Sequence, residues 1–442
     1  MVSSVCLVKR LPASFAASLL FLAFLPGCGD SGNNSAASPS SEAASPSGGT
    51  AGSNASAGTG GETVELELFQ FAGPVEGAYN KVIEAFEKHY PNIKIKQNIV
   101  ADAFNVLDMR MAAGDYPDLF SIGHSTSFLN YVQNGWVEDL SGESFLKNVN
   151  PSALETTQVD GKQYSFPAVF NTYGIYYNKQ IFSDLGIEIP KTKDELIEDA
   201  KKIQAAGITP FVFPDKDMPS TNQLDFQAYT GAFLDNPKQL FRDAMDKKLH
   251  LTDSKELREA AQMYVDLREY GKDNLSTTFD NAANLFATGK VAMMPYVSIA
   301  TGVISAINPD LDFSIFPIPG NDPDKIHVPY GIGFQLCISA KSKHVEEAKL
   351  FLDFWSKPEN AAIFETIEKA PSTIIGVQST TQQTEYIRQY FDAGKIYEWP
   401  SNVPGWKTNQ LNDSTTYAQY LSQSKDVDQF LKQLDNLFYG VK

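Results

Sequence analysis

Val64-Glu-Leu-Glu-Leu68 alternates apolar and acidic residues, the period of a half-buried strand. Tyr79, Val82, Ile83, Phe86 and Tyr90 then form an apolar stripe at helical spacing, with Lys81, Glu84, Glu87 and Lys88 on the opposite face. Pro91-Asn92 ends that helix, and Ile93, Ile95 and Ile99 supply a second strand. Strand, helix, strand in this order is the β-α-β unit from which parallel sheets are built. The stretch therefore places the chain in the α/β class.

The pattern continues outward. Asp118 to Gly123 reads as the next strand, followed by a helix from about Ser127 to Gly135. Ile175 to Asn178 is a strand candidate. Thr192-Lys-Asp-Glu195 predicts a capping box opening a helix that buries Leu196, Ala200 and Ile203 and stops at Gly207. Ile208 to Phe213 reads as a strand, Val345 to Trp355 as an apolar-faced helix, and Ser356-Lys-Pro-Glu359 as the cap of a helix running through Ile367. Val427, Phe430, Leu431, Leu434 and Phe438 mark a final helix. The reading is α/β with two sheets and no internal repeat.

The N-terminus carries an address. An apolar run follows Lys9 and Arg10 and ends in Leu25-Pro-Gly-Cys28, the layout of a bacterial export signal. A cysteine directly after a small residue resembles the bacterial lipobox, with Pro26 departing from it at the second place. That resemblance implies a signal peptide over 1–27 and acylation of Cys28. The alternative is an ordinary signal peptide with an unrelated cysteine. From Gly29 to Glu62 the chain is dominated by Ser, Ala, Gly, Asn, Thr and Pro and has no aromatic, Leu, Ile or Val. Such a segment cannot offset its ordering entropy by burial. As a flexible coil, 28–62 spans about 30 Å. The expected location is the outer face of the cell membrane, with a lipid anchor through Cys28.

Composition limits the rest. Of 442 residues, about 380 follow the tether, which is long for one core and natural for two. The formal charge is −17, which argues against nucleic acid and, more mildly, against an anionic ligand. Cys337 is the one cysteine left in the body and lies in an apolar run, the position of a packing residue. No disulfide framework or metal cluster can be built from three cysteines.

Enzyme signatures are scarce. The chain has neither His-Glu-x-x-His nor Gly-x-Ser-x-Gly, Gly331-x-Gly333 lacks a third glycine, and the five histidines are scattered. What stands out instead is a set of aromatic and amide-rich loops at expected strand ends: Phe69 to Phe71, Ser121 to Ser125, Phe170 to Tyr173, Gln223 to Gln227, Met294 to Ser298, Tyr330 to Gly333 and Trp399 to Asn409. Ligands of open α/β sheets bind at the carboxyl ends of strands. Rings stack on the C–H faces of a neutral sugar, and amides bond its hydroxyls. Trp136 and Trp355 lie in apolar stripes and read as core. Trp399 and Trp406 lie in a stripe-free stretch and are candidates for ligand contact.

Several ordered blocks resemble one family, the extracellular solute-binding proteins of ABC importers, family 1, a sugar-binding lineage. They are Tyr116-Pro-Asp-Leu-Phe120, Asn134-Gly-Trp-Val-Glu-Asp-Leu140, Asp160-Gly-Lys-Gln-Tyr164 with Gly174 to Lys179, Pro190 to Leu196, Phe286-Ala-Thr-Gly-Lys-Val-Ala-Met293, and Ile338 to Ser342 with Ala348 to Phe354. The resemblance implies a periplasmic-binding-protein-like fold: two α/β lobes joined by a multi-crossing hinge, with a ligand cleft between them. It places the N-terminal lobe at 63–168 and 318–373 and the C-terminal lobe at 169–317 and 374–442. Carried over by position, it points to Phe71, Gly73, His124, Ser125, Asn171, Gln223, Asp225, Tyr330 and Trp406 as ligand contacts; the loop reading adds Tyr173, Tyr296 and Trp399. Where the family often has Gly-x-Trp, this chain has Val297-Ser-Ile299, so Tyr296 or another ring must supply that face.

The implied function is capture of a neutral sugar or oligosaccharide by hinge closure and delivery to the transmembrane subunits of an ABC permease. The expected protein is a monomer and not an enzyme, with no cofactor, no metal, no catalytic residue and no nucleic-acid partner. Open alternatives are another solute in the same fold, a tethered glycan hydrolase or lyase, and a sensor subunit for a membrane kinase.

Overall fold

The computed structural model describes residues 63–71, 75–100, 102–123, 126–217, 222–272, 274–377, 385–400 and 420–439. The first half opens with β1 (Val64–Gln70), α1 (Glu76–His89), β2 (Ile93–Ile99), α2 (Ala103–Ala113), β3 (Leu119–Ile122) and α3 (Thr126–Gln133). After α4 (Pro151–Thr157) and the small hairpin β4 (Gln158–Val159) and β5 (Lys162–Gln163) comes the long strand β6 (Phe166–Asn178). The chain continues through α5 (Lys179–Leu185), α6 (Lys193–Ala205), β7 (Thr209–Phe211), α7 (Asn222–Thr230), α8 (Pro237–Met245), α9 (Lys255–Arg268), α10 (Phe279–Ala287), β8 (Val291–Val297), α11 (Ala300–Ile307) and β9 (Phe313–Phe316). It returns along β10 (Val328–Ile338) to α12 (Val345–Trp355) and α13 (Pro358–Glu368), then α14 (Glu385–Asp392) and β11 (Ile396–Glu398). Val427–Tyr439 is the last helix.

The opening β-α-β unit forms as its pattern requires. β1 runs parallel to both β2 and β3. α1 buries Ala78, Tyr79, Val82, Ile83 and Phe86. Successive residues of β1 serve opposite faces: Leu66 and Leu68 enter one core, with Phe86, Phe351 and Trp355, while Phe69 enters another, with Leu107, Phe120 and Cys337. The sheet is thus covered on both sides. At α6, Thr192 Oγ1 accepts from Glu195 N at 3.2 Å and Glu195 Oε2 accepts from Thr192 N at 3.3 Å, the reciprocal pair of a capping box.

Two expectations are corrected. Apart from the separate β4-β5 hairpin, the strands do not divide into two sheets; β6 joins them into one hydrogen-bonded path, β2-β1-β3-β10-β6-β8-β7, with β11 and β9 attached beside it. The reason is the length of β6, whose 13 residues outrun the four expected at Ile175 to Asn178. Its first part pairs antiparallel with β10 as far as Thr172 opposite Tyr330, and its second part pairs with β8 from Tyr173 opposite Val297. The second correction is at α13. Lys357, not Ser356, is the cap residue, and no side chain bonds the helix start. Ser356 instead closes α12, donating to Asp353 O at 2.8 Å, while Pro358 has no N–H to be satisfied.

The side-chain cores change over along the connections. Val169 and Phe170 belong to the first core and Tyr173 to the large second one. Val328 belongs to the second and Tyr330 to the first. Val377 belongs to the first and Ile387 to the second. Along the described residues the chain therefore changes from one of these cores to the other three times. Among the described residues no helix is long and apolar enough to cross a membrane.

Candidate functional site

A pocket lies beside the core change in β6. From the first body it is lined by Phe71 and Val75 beside the end of β1, by Gly333 and Phe334 of β10, and by Phe364, Glu368 and Ala370 on and just after α13. From β6 it takes Val169, Phe170 and Asn171, and from the turn after β8 it takes Ser298 and Ile299. Phe71 extends one wall further: its ring lies 4.9 Å from that of Phe104, which is 48% exposed. Two adjoining aromatic faces, one open to solvent, suit the apolar side of a flat polyhydroxy ring.

The floor is fixed by hydrogen bonds. Ser298 Oγ donates to Asn171 Oδ1 at 3.1 Å and accepts from Thr172 N at 3.2 Å. Ser298 N donates to Thr172 O at 2.8 Å. The Tyr176 hydroxyl bonds Ser298 O at 3.1 Å and Thr301 Oγ1 at 2.7 Å, so the turn is held on both sides. Asn171 lines the pocket, and its side-chain oxygen is the atom that Ser298 holds. Glu368 is the acid of the lining; burial pushes its carboxyl up to about 7. No lysine or arginine is among the described residues that line the pocket, and no group of three metal-binding side chains occurs among the described residues.

Of the residues singled out from sequence, the pocket brings together Phe71 and Asn171. The structure puts four others in packed interior. Tyr173 is 2% exposed within the second core. Tyr296 stacks on Phe279 at 4.6 Å and 14°, so that ring face is taken by a neighbour. Tyr330 packs edge-on against Phe170 at 5.7 Å. Trp399 is 3% exposed and lies against β10: a Cβ on Gly331 would stand 2.3 Å from Trp399 Cδ1, and Trp399 N donates to Tyr330 O at 3.0 Å. Gln223 and Asp225 fall in the first turns of α7, and their side chains lie outside the described residues, as do Gly73, His124, Ser125, Trp406 and Cys28.

Sequence reading missed Phe104, Phe364, Ile299 and Glu368 as wall residues. Phe104 had a signal, a large ring on the otherwise polar face of a weak apolar stripe. Ile299 had one too, standing where the family's aromatic is absent. Phe364 and Glu368 had none, because only the fold carries the end of α13 to the cleft.

The family model described as bacterial extracellular solute-binding protein matches residues 72–362. The chain belongs to that family. Among relatives of this solute-binding protein, the multiple sugar-binding protein of Streptococcus mutans is 28% identical over 324 residues, covering 72% of this chain and 77% of that one. The melibiose/raffinose/stachyose-binding protein MelE of Bacillus subtilis is 25% identical over 393 residues, covering 83% and 89%. Among solved structures, RafE in complex with raffinose matches with a TM-score of 0.74 at 27% identity, over 86% of this chain and 99% of that one. Apo RafE from Streptococcus pneumoniae matches with a TM-score of 0.72 at 26% identity, over 87% and 99%. The periplasmic-binding-protein-like fold is therefore the fold of this chain.

Proposed function

We propose that this solute-binding protein captures a neutral sugar or oligosaccharide between its two lobes and hands it, unaltered, to the transmembrane subunits of an ABC importer. The observation that carries the reading is the cleft lining: the partly exposed ring of Phe71 with the exposed Phe104 beside it, an amide and a hydroxyl at Asn171 and Ser298, and no cation among the described lining residues. Such a wall suits C–H faces and hydroxyls and offers an anion nothing. The names of the relatives support the same class of ligand. Closure follows from contact: a ligand touched by both lobes stabilises the closed arrangement over the open one.

We assign the N-terminal lobe to 63–168 and 318–373 and the C-terminal lobe to 169–317 and 374–442; the changes of core membership, after Phe170, Val328 and Val377, support a division into the same four segments with each limit moved later in the chain. Lipidation at Cys28 holds the protein, as a monomer, at the outer face of the membrane. A hydrolase would need a second acid facing Glu368 at hydrolytic separation, and Glu368 is the only acid among the described lining residues.

A thermal-shift screen tests the proposal, because a ligand bound only by the folded state raises the melting temperature by mass action. Neutral tri- and tetrasaccharides such as raffinose and stachyose should raise it, and phosphorylated or acidic sugars should not. A shift with the anions alone would remove the sugar assignment.

A further inference from the structure

Glu368 is the last residue of α13 and is only 8% exposed. It lines the inter-lobe pocket with Phe71, Asn171 and Ser298. It also borders the neighbouring depression under α11, where Gly302 and Val303 belong to the opposite lobe. A Cβ on Gly302 would stand 3.5 Å from Glu368 Oε2, so this carboxyl spans the seam between the lobes. Its surroundings are Phe364, Ala370, Ile299 and glycine backbone. Among the described residues no hydrogen bond or ion pair reaches it, and the phenol of Tyr79 is the titratable group that senses it. Burial of the rest of the residue leaves its carboxylate oxygens opening on the cleft, where solvent can serve them. A ligand that displaces that solvent must bond the carboxyl in its place, because buried polar groups are almost always satisfied.

We propose that Glu368 is a ligand-contacting residue of the cleft, hydrogen-bonding sugar hydroxyls from the N-terminal lobe opposite the amide of Asn171. A hydroxyl both donates and accepts, so it satisfies the carboxyl in either protonation state. The bond forms across the seam, so it also favours closure. This assignment rests on the sugar reading above. The carboxyl desolvated in the empty cleft regains through the ligand the hydrogen bonds it loses to water, and an isosteric amide can replace it whereas an alkyl group cannot.

Calorimetric titration of raffinose and stachyose into wild type, Glu368→Gln, Glu368→Leu and Glu368→Ala, with the ligand-free melting temperature of each, tests the assignment. Glu368→Gln should bind within about threefold of wild type, while Glu368→Leu and Glu368→Ala should bind at least about tenfold more weakly. The ligand-free melting temperatures of the variants at about pH 8 should not fall below that of wild type, since an unpartnered buried charge has been removed. Unchanged affinity in Leu and Ala variants would sink the assignment alone. Lower melting temperatures in both would make Glu368 a structural group and sink it too. If neither sugar binds the wild type, the sugar reading falls first and takes the assignment with it.

Discussion

Glu368 and Asn171 show how one cleft handles two polar groups differently. Asn171 lies on a strand whose neighbours use half of its hydrogen-bonding capacity: its oxygen is held by Ser298. Glu368 is held by nothing among the described residues, and burial alone shifts it up to about 7. The shift has a stability consequence. A carboxyl whose value in the folded state exceeds its value in the unfolded chain stabilises the fold while it is neutral, and that contribution disappears as pH rises through the folded value. Its stabilising share is complete below about pH 4.5 and lost by about pH 7. Glu368→Gln should therefore match wild type near the acid end of that window and be more stable above it, by up to about 3 kcal/mol. Urea unfolding at about pH 5 and about pH 8 measures this; an equal difference at both would contradict it. Asn171 was legible in the sequence because it sits among aromatics at an expected strand end. Glu368 was not, because in a chain with 53 acids nothing local marks one helix-terminal glutamate.

Elements with a strong local period were legible. α1, α12 and the last helix lie where their apolar stripes place them, and the capping box at Thr192 forms both of its bonds. Elements defined by partners were less so. β6 reads as a short strand because Pro167 and the polar Asn171-Thr172 interrupt its apolar run; pairing to β10 and then β8 carries it across that gap. The same logic explains the tryptophans and tyrosines near the cleft. Trp399 stands in a stretch without a stripe, yet it is buried because Gly331 opens a slot on β10. Filling that slot should be costly. Gly331→Ala places a methyl group inside van der Waals distance of Trp399 and should destabilise by about 1–3 kcal/mol, the range for overpacking. Chemical denaturation of the variant tests this; wild-type stability would show that Trp399 is not seated there. The coupling also reaches the site, since β10 carries Gly331 in one core and Gly333 in the cleft wall.

At the scale of the molecule, two side-chain cores lie along one strand path, and the described chain changes between them three times. The proposed closure would bend the chain at those changes, because close-packed interiors resist continuous deformation. The β-α-β opening and the ordered family blocks made the α/β class and the family legible, while the place of Phe364 and Glu368 at the pocket needed the fold. The central claim is that an uncharged sugar closes the two lobes on itself. Small-angle scattering recorded while the best-stabilising neutral oligosaccharide of the thermal screen is titrated tests it most directly. The radius of gyration should fall in step with saturation and recover on dialysis, with the sugar returned intact. Saturated binding with an unchanged scattering curve would contradict the account.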